Sequence, residues 1–329
     1  MSTNRTRESV SMEDILFGVG HGRRQSVGNM DVIPLVDEGG VQNEGFDPPS
    51  DIEVGTSTYG TVNLRHPGSR PTIVPPGAGW VVKQAAQDHA IGSGDFIDAG
   101  SSKRIDTAMC IQSNQGGTIT QAAHEMLILP VALRSKALAL RKAKDYSKLW
   151  GALGSFNQSY GHRSEQQLAY FLQNYGKQLD QFVAEFELVP NQIGAVILVN
   201  GQLVGVEMAP STEFWQAIWN PLIRLCYGSF AIKQADAAQP TREPLQIEER
   251  SLDGIRAAMA SSDRVIGERT DRIMTSVRQD KFLLGSVDAQ MREYQLLTVG
   301  SPGRTALAGQ IVRAEGVRTA PYMSVCVNV

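Results

Sequence analysis

The stretch IGAVILVNGQLVGVEM, residues 193–208, reads as two β-rich runs, Ile193–Val199 and Gln202–Met208, joined by Asn200-Gly201. Asn-Gly is the dipeptide best able to supply the two positive φ angles of a type I′ turn, so a β-hairpin is predicted. Directly after it, Pro210-Ser211 supplies a helix start with Ser211 as the cap. Phe214, Trp215, Ile218, Trp219, Leu222, Ile223 and Cys226 then give a dense apolar stripe at helical spacing. Pro221, inside that stripe, should kink the helix or end its first half. This hairpin and helix form the clearest unit of the chain.

Outward from it, the pattern differs on the two sides. Met30 to Val36 reads as a first strand. Ile52–Val54, Tyr59–Leu64, Thr72–Val74, Trp80–Val82, Asp95–Ile97 and Ile105–Ile111 follow as short β-type runs punctuated by Gly, Pro and Ser. That rhythm predicts a sandwich-like antiparallel lobe over 28–118. After Gly117 the spacing turns helical: Pro130 to Leu140, then Tyr146 to Leu153, then a long helix over 165–186 with Ser164 and Gln167 as a capping box. Residues 251–277 read as two helices, and Tyr294–Val299, Ala306–Arg313 and Tyr322–Val327 as strands. The expected fold is α+β, with a β-rich N-terminal half and an α/β C-terminal half holding the hairpin-helix unit. Its expected parts are an arm at 1–27, a β-rich lobe at 28–118, and an α+β lobe at 119–329 with a polar excursion at 235–250.

Charge and composition narrow the function classes. The formal net charge is −3, with 31 Lys and Arg spread along the chain, so no broad basic footprint for nucleic acid is present. Arg5, Arg7, Arg23 and Arg24 cluster in a polar segment and read as a solvated arm. Cys110, Cys226 and Cys326 are odd in number and widely spaced, with no CxxC, which argues against a disulfide framework or a structural zinc. No stretch approaches the length of a membrane span and no signal-peptide core is visible, so a cytoplasmic protein without membrane partner, metal or cofactor is expected.

No strong catalytic motif is present: there is no GxSxG elbow, and the Gly18–Gly22 stretch lacks the Lys of a phosphate loop. The richest polar run in the β-rich region is Lys83 to His89. Gln84, Gln87, Asp88 and His89 there are candidate ligand-binding residues, with His89 able to titrate near neutrality. Gln112, just past an apolar strand, is a second candidate, and Glu207, ending a buried-looking strand, is a third. Cys110 and Cys226 lie in apolar contexts and read as core.

The order of these motifs resembles the ARG-and-rhodanese-phosphatase-superfamily-associated protein domain family. Residues Gly28 to Leu35 are similar to its opening strand, Val82-Lys83-Gln84 through Asp88-His89 to its G-x-K-Q-D-R-like segment, and Ala108 to Gln112 to its C-V-E strand. Leu129 to Arg134 also match. The closest agreement is Gly194-Ala195-Val196, Asn200-Gly201, Gly205 and Glu207, similar to the signature G-A-V-x-x-x-N-G-x-x-x-G-x-E. The resemblance implies a link to ADP-ribose, NAD-related or bacterial stress and phage-conflict systems, without an established reaction.

The chain departs from that family pattern at Ala78, Gln112 and Gly116-Gly117, where the family has acidic residues and an Arg-Trp pair. An amide in place of a carboxylate keeps hydrogen bonding and loses acid–base capacity. The expectation is therefore a non-enzymatic protein that binds a nucleotide-derived small molecule or assembles with itself. The alternatives are a hydrolase or transferase acting on an ADP-ribose-like substrate, and a subunit of a large homomeric or phage-related particle.

Overall fold

In the computed structural model the described residues are 8–56, 58–82, 87–114, 124–235, 251–301, 307–315, 317 and 319–327. The expected excursion at 235–250 lies outside them apart from its first residue. The fold is α+β, and every ladder between its strands is antiparallel.

The hairpin sits inside the largest sheet. From one edge to the other the strands run Ser9–Ser11, Lys281–Met291, Tyr294–Gly300, Leu307–Ala314, Tyr322–Val327, Gln202–Met208, Gln192–Val199, Met30–Asp37 and Val19–His21, and Gln25–Val27 also pairs with Met30–Asp37. The sheet draws strands from each of the three expected segments. Asn200 (φ 49°) and Gly201 (φ 73°) adopt the two left-handed conformations of the predicted turn.

Both faces of this sheet are covered, which explains why residues 193–199 are apolar throughout instead of alternating with polar ones. One face carries Ile33, Leu35, Val196, Leu198, Val206, Met208, Met323 and Val325. It packs against Met12, Ile15 and Leu16 and against Met274 and Val277 of the helix Leu252–Gln279. The opposite face carries Val32, Ala195, Ile197, Val199, Tyr322 and Cys326, and packs on Phe214, Trp215, Ile218, Trp219, Ile223 and Tyr227. The sheet curves as a half-barrel. Its two edge strands, Ser9–Ser11 and Val19–His21, are joined through the short helix Met12–Ile15, so the chain itself spans the open side, a gap it can bridge only if the edges lie within roughly 27 Å.

Three smaller antiparallel sheets come from the expected β-rich lobe, the last of them completed by a strand from beyond its expected end at 118. They are Thr72–Val74 with Asp95–Ile97; Glu53–Gly55, Val62–Arg65 and Ser102–Ile105; and Met109–Cys110, His89–Ala90, Ala78–Val82 and His124–Ile128. Helices Val131–Ala139, Trp150–Gln158 and Leu168–Glu185 pack on the last of these through Leu133, Leu153, Phe156 and Phe171.

Several local expectations are corrected. The long helix begins at Leu168, not at 165, because residues before it are held extended: Gln167 bridges Gln112, Leu168 N–H donates to the Ile111 carbonyl (2.8 Å), and Asn157 Nδ2 donates to the Glu165 and Gln167 carbonyls (2.6 and 3.1 Å). Residues 252–279 form one continuous helix, capped by Ser251. Lys281–Met291 is a strand with no clean alternation, since it bulges beside Val287 and holds Asp288, whose buried carboxylate is met by Arg141 (2.9 Å) and Gln310 (2.8 Å). Arg24 is not solvated: it is 11% exposed and lies 3.8 Å from Asp31.

Ser211 accepts Phe214 N–H as predicted (3.2 Å), and the helix Thr212–Pro221 ends at its proline. The chain then continues through a π-helical turn, Leu222–Tyr227, into Gly228–Lys233. That wider turn sets Cys226 and Tyr227 against the sheet.

Candidate functional site

The predicted residues divide between two buried clusters. The first forms where the strand His89–Ala90 pairs with Met109–Cys110, placing Cys110 opposite His89. Gly60 N–H donates to His89 Nε2 (3.3 Å), so Nε2 is the unprotonated nitrogen and Nδ1–H donates to the Gln87 carbonyl (2.7 Å). The Cys110 thiol donates to Gln87 Oε1 (2.9 Å) and its sulfur lies 3.3 Å from His89 Nε2. Gln87 Nε2 in turn donates to the Gln112 carbonyl (2.9 Å). Asp88 is buried beside them, and its carbonyl accepts Ile111 N–H (2.9 Å). Gln87, Asp88, His89 and Gln112 are thus brought together; Gln84 lies outside the described residues.

The thiol and the imidazole of this cluster are both neutral. Burial pushes the Cys110 thiol up to about 12. Burial also lowers the His89 imidazole below its usual value, against the opposing pull of the hydrogen bond to Gln87. A thiol–imidazole pair so displaced stays neutral at both partners, unlike the thiolate–imidazolium pair of a cysteine nucleophile.

Aromatic rings adjoin the cluster. Cys110 N–H donates to the Tyr146 carbonyl (2.8 Å), and a Cβ added at Gly60 would stand 2.9 Å from that of Tyr146. Tyr59 and Tyr146, 47% and 38% exposed, have ring centroids 5.7 Å apart, and Tyr146 meets Trp150 edge-on at 5.6 Å. The Trp150 indole N–H is buried and meets no acceptor among the described residues.

Glu207 belongs to the second cluster, on the helix-covered face of the large sheet. Arg134 from Val131–Ala139 reaches across to it: Nη1 donates to Glu207 Oε1 (2.7 Å), and Nη2 donates to Ser324 Oγ. Tyr227 OH donates to the same carboxylate oxygen (2.5 Å), an approach that Gly205 permits, since a Cβ there would fall 2.1 Å from the hydroxyl. Arg134 Nη1 is also 3.4 Å from Cys226 Sγ, and Cys326 Sγ lies 4.0 Å from Tyr227 OH. Burial works against the Arg134 charge, but Cys326, Glu207, Cys226 and Tyr227 around it outweigh that and hold it firmly protonated. Between the thiols, burial raises Cys226, while the hydrogen bond from Cys226 and the nearby guanidinium lower Cys326. The arrangement clamps helix to sheet through Glu207 Oε1, and the Glu207 side chain is buried.

Sequence reading missed Cys110, Arg134, Tyr227 and Ser324 as members of these clusters. Their partners are distant along the chain, and no spacing rule joins residue 134 to 207 and 324. Among the described residues no group of three or more His, Cys, Asp or Glu side chains is placed to hold a metal ion, and no helix is long and apolar enough to cross a membrane.

No curated protein and no solved structure matches the chain. The sequence model of the ARG and Rhodanese-Phosphatase-superfamily-associated Protein domain matches residues 18–294, which takes in the half-barrel hairpin and both clusters except for Ser324 and Cys326. With most of its length covered in this way, the chain belongs to that family.

Proposed function

We propose that this chain is a non-catalytic binding protein for a small polar ligand carrying a planar ring, taken up beside Tyr59, Tyr146 and Trp150. The observation that carries this reading is the Gln87–His89–Cys110 set, a hydrogen-bonded and uncharged group directly behind half-exposed aromatic rings. Such rings stack on planar ligands, and a neutral donor–acceptor set orients without offering a proton at neutral pH. A nucleotide-derived molecule fits this chemistry and agrees with what the family resemblance implies. The test is equilibrium dialysis with ADP-ribose, NAD and AMP. Wild type should retain at least one of them unchanged, and Tyr146→Ala should weaken retention by roughly tenfold, the loss of one good ring contact. Absence of binding to all three, or turnover of any of them, contradicts the reading.

A second reading, thiol chemistry at Cys110, is favoured by the 3.3 Å sulfur–imidazole contact alone. It requires a thiolate near neutral pH, which the burial of both groups opposes.

A further inference from the structure

The helix Leu252–Gln279 is a single apolar seam used over only part of its length. Thr270, Met274 and Val277 are buried against the half-barrel. At 3.6 residues per turn, Leu252, Ile255, Met259 and Ile266 continue the same stripe toward the N-terminus. There the stripe is exposed: Leu252 is 74%, Ile255 37% and Met259 55% exposed. Among the described residues, the side-chain ion pairs to the body nearest its N-terminus are Arg23 to Asp263 (2.5 Å) and His21 to Asp271 (3.3 Å). Residues 252–262 therefore project as an amphipathic arm roughly 16 Å long. A groove of about 260 Å³, lined by His21, Gly22, Arg24, Ile266, Gly267 and Thr270, opens at its root.

We propose that this arm pairs with the same arm of a second copy, antiparallel about a two-fold axis. This goes beyond the ligand-binding reading and does not depend on it. Placing Leu252, Met259 and Ile266 at the first core position of a heptad puts Ile255 and Ser262 at the second, and Arg256 and Asp263 on one flank. With the axis between residues 260 and 261, Ile255 of each copy packs against Ile266 of the other, at the mouth of the groove. Arg256, which meets Asp253 of its own helix, then stands opposite Asp263 in both halves of the pair, where the exposed Asp263 carboxylate is shared between Arg23 and the second copy's arm. A parallel arrangement sets Arg256 and Asp263 against Ser251 and Ala258 and makes no such charge pairs. Flanking charges are what select orientation in paired helices, so the charge pattern favours the antiparallel two-fold partner.

Sedimentation equilibrium of the full chain tests this. Wild type should sediment as a dimer in the micromolar range. Met259→Glu, at an exposed position, should keep the circular dichroism spectrum and weaken dimerisation by roughly 100-fold or more. Arg256→Asp should weaken it as well, whereas Arg256→Lys, which keeps the charge and leaves the Arg23–Asp263 tie intact, should not. A monomeric wild type, a dimer that survives Met259→Glu, or a dimer equally weakened by Arg256→Asp and Arg256→Lys overturns the proposal. None of these readings depends on ligand retention, so a failure here is distinct from a failure of the binding site.

Discussion

At the scale of single residues, the Arg134–Glu207 pair shows how much a buried charge depends on its partner. Both side chains are almost fully buried, and the guanidinium is the only cation on the Glu207 carboxylate among the described residues. Removing one member of such a pair costs about 3–5 kcal/mol, whereas removing both charges together can be close to neutral. Urea unfolding should therefore show Arg134→Met to be strongly destabilised and Arg134→Met with Glu207→Leu to recover much of the loss. A double variant as unstable as the sum of its singles would contradict this account. His89 makes a prediction of opposite kind. Its folded imidazole sits below the unfolded value, so as pH falls below about 6.5 the unfolded chain takes up a proton that the folded chain refuses. Stability should then be independent of His89 above that pH and fall below it. His89→Gln should flatten this acid limb in denaturation curves. A His89→Gln curve that falls as steeply as wild type below that pH contradicts a lowered imidazole.

At the scale of elements, the hairpin separates two uses of glycine. Gly201 has φ 73° and open space where a side chain would be, so Gly201→Ala should cost only the left-handed strain, about 1–2 kcal/mol. Gly205 instead makes room for the Tyr227 hydroxyl, and Gly205→Ala should cost distinctly more, because the collision displaces a buried hydrogen-bond donor from Glu207. Chemical denaturation ranks the two, and equal losses would mean that Tyr227 yields easily. The elements legible in sequence are those whose signals are local: Asn200-Gly201, the Ser211 cap and the Pro221 break all act within a few residues. The elements misread or passed over are those set by distant partners. The start of the helix at Leu168 is decided by pairing with residues 111 and 112, and the strand Lys281–Met291 hides behind Gly285, Ser286 and Asp288, whose polar groups are satisfied by Arg141, Thr298 and Gln310.

At the scale of the whole molecule, the large sheet gathers strands from residues 9–37 and 192–327, while the candidate site is built in the small sheet between them. Half of that site was visible in sequence. Gln87, Asp88, His89 and Gln112 stood out as a polar run at the edge of apolar strands, but Cys110 read as core because its neighbours are apolar and its partners arrive only through strand pairing. Glu207 stood out as a separate candidate, and the fold places it with Arg134 and Tyr227 on the helix-covered face of the large sheet. The account rests on the His89–Cys110 pair being neutral, which makes it a recognition set. The most direct measurement is the Cβ chemical shift of Cys110 in protein labelled with carbon-13 cysteine, followed from about pH 6 to about pH 9. The account predicts a thiol shift across that whole range with no titration step, and a thiolate shift already present at or below about pH 7 would contradict it.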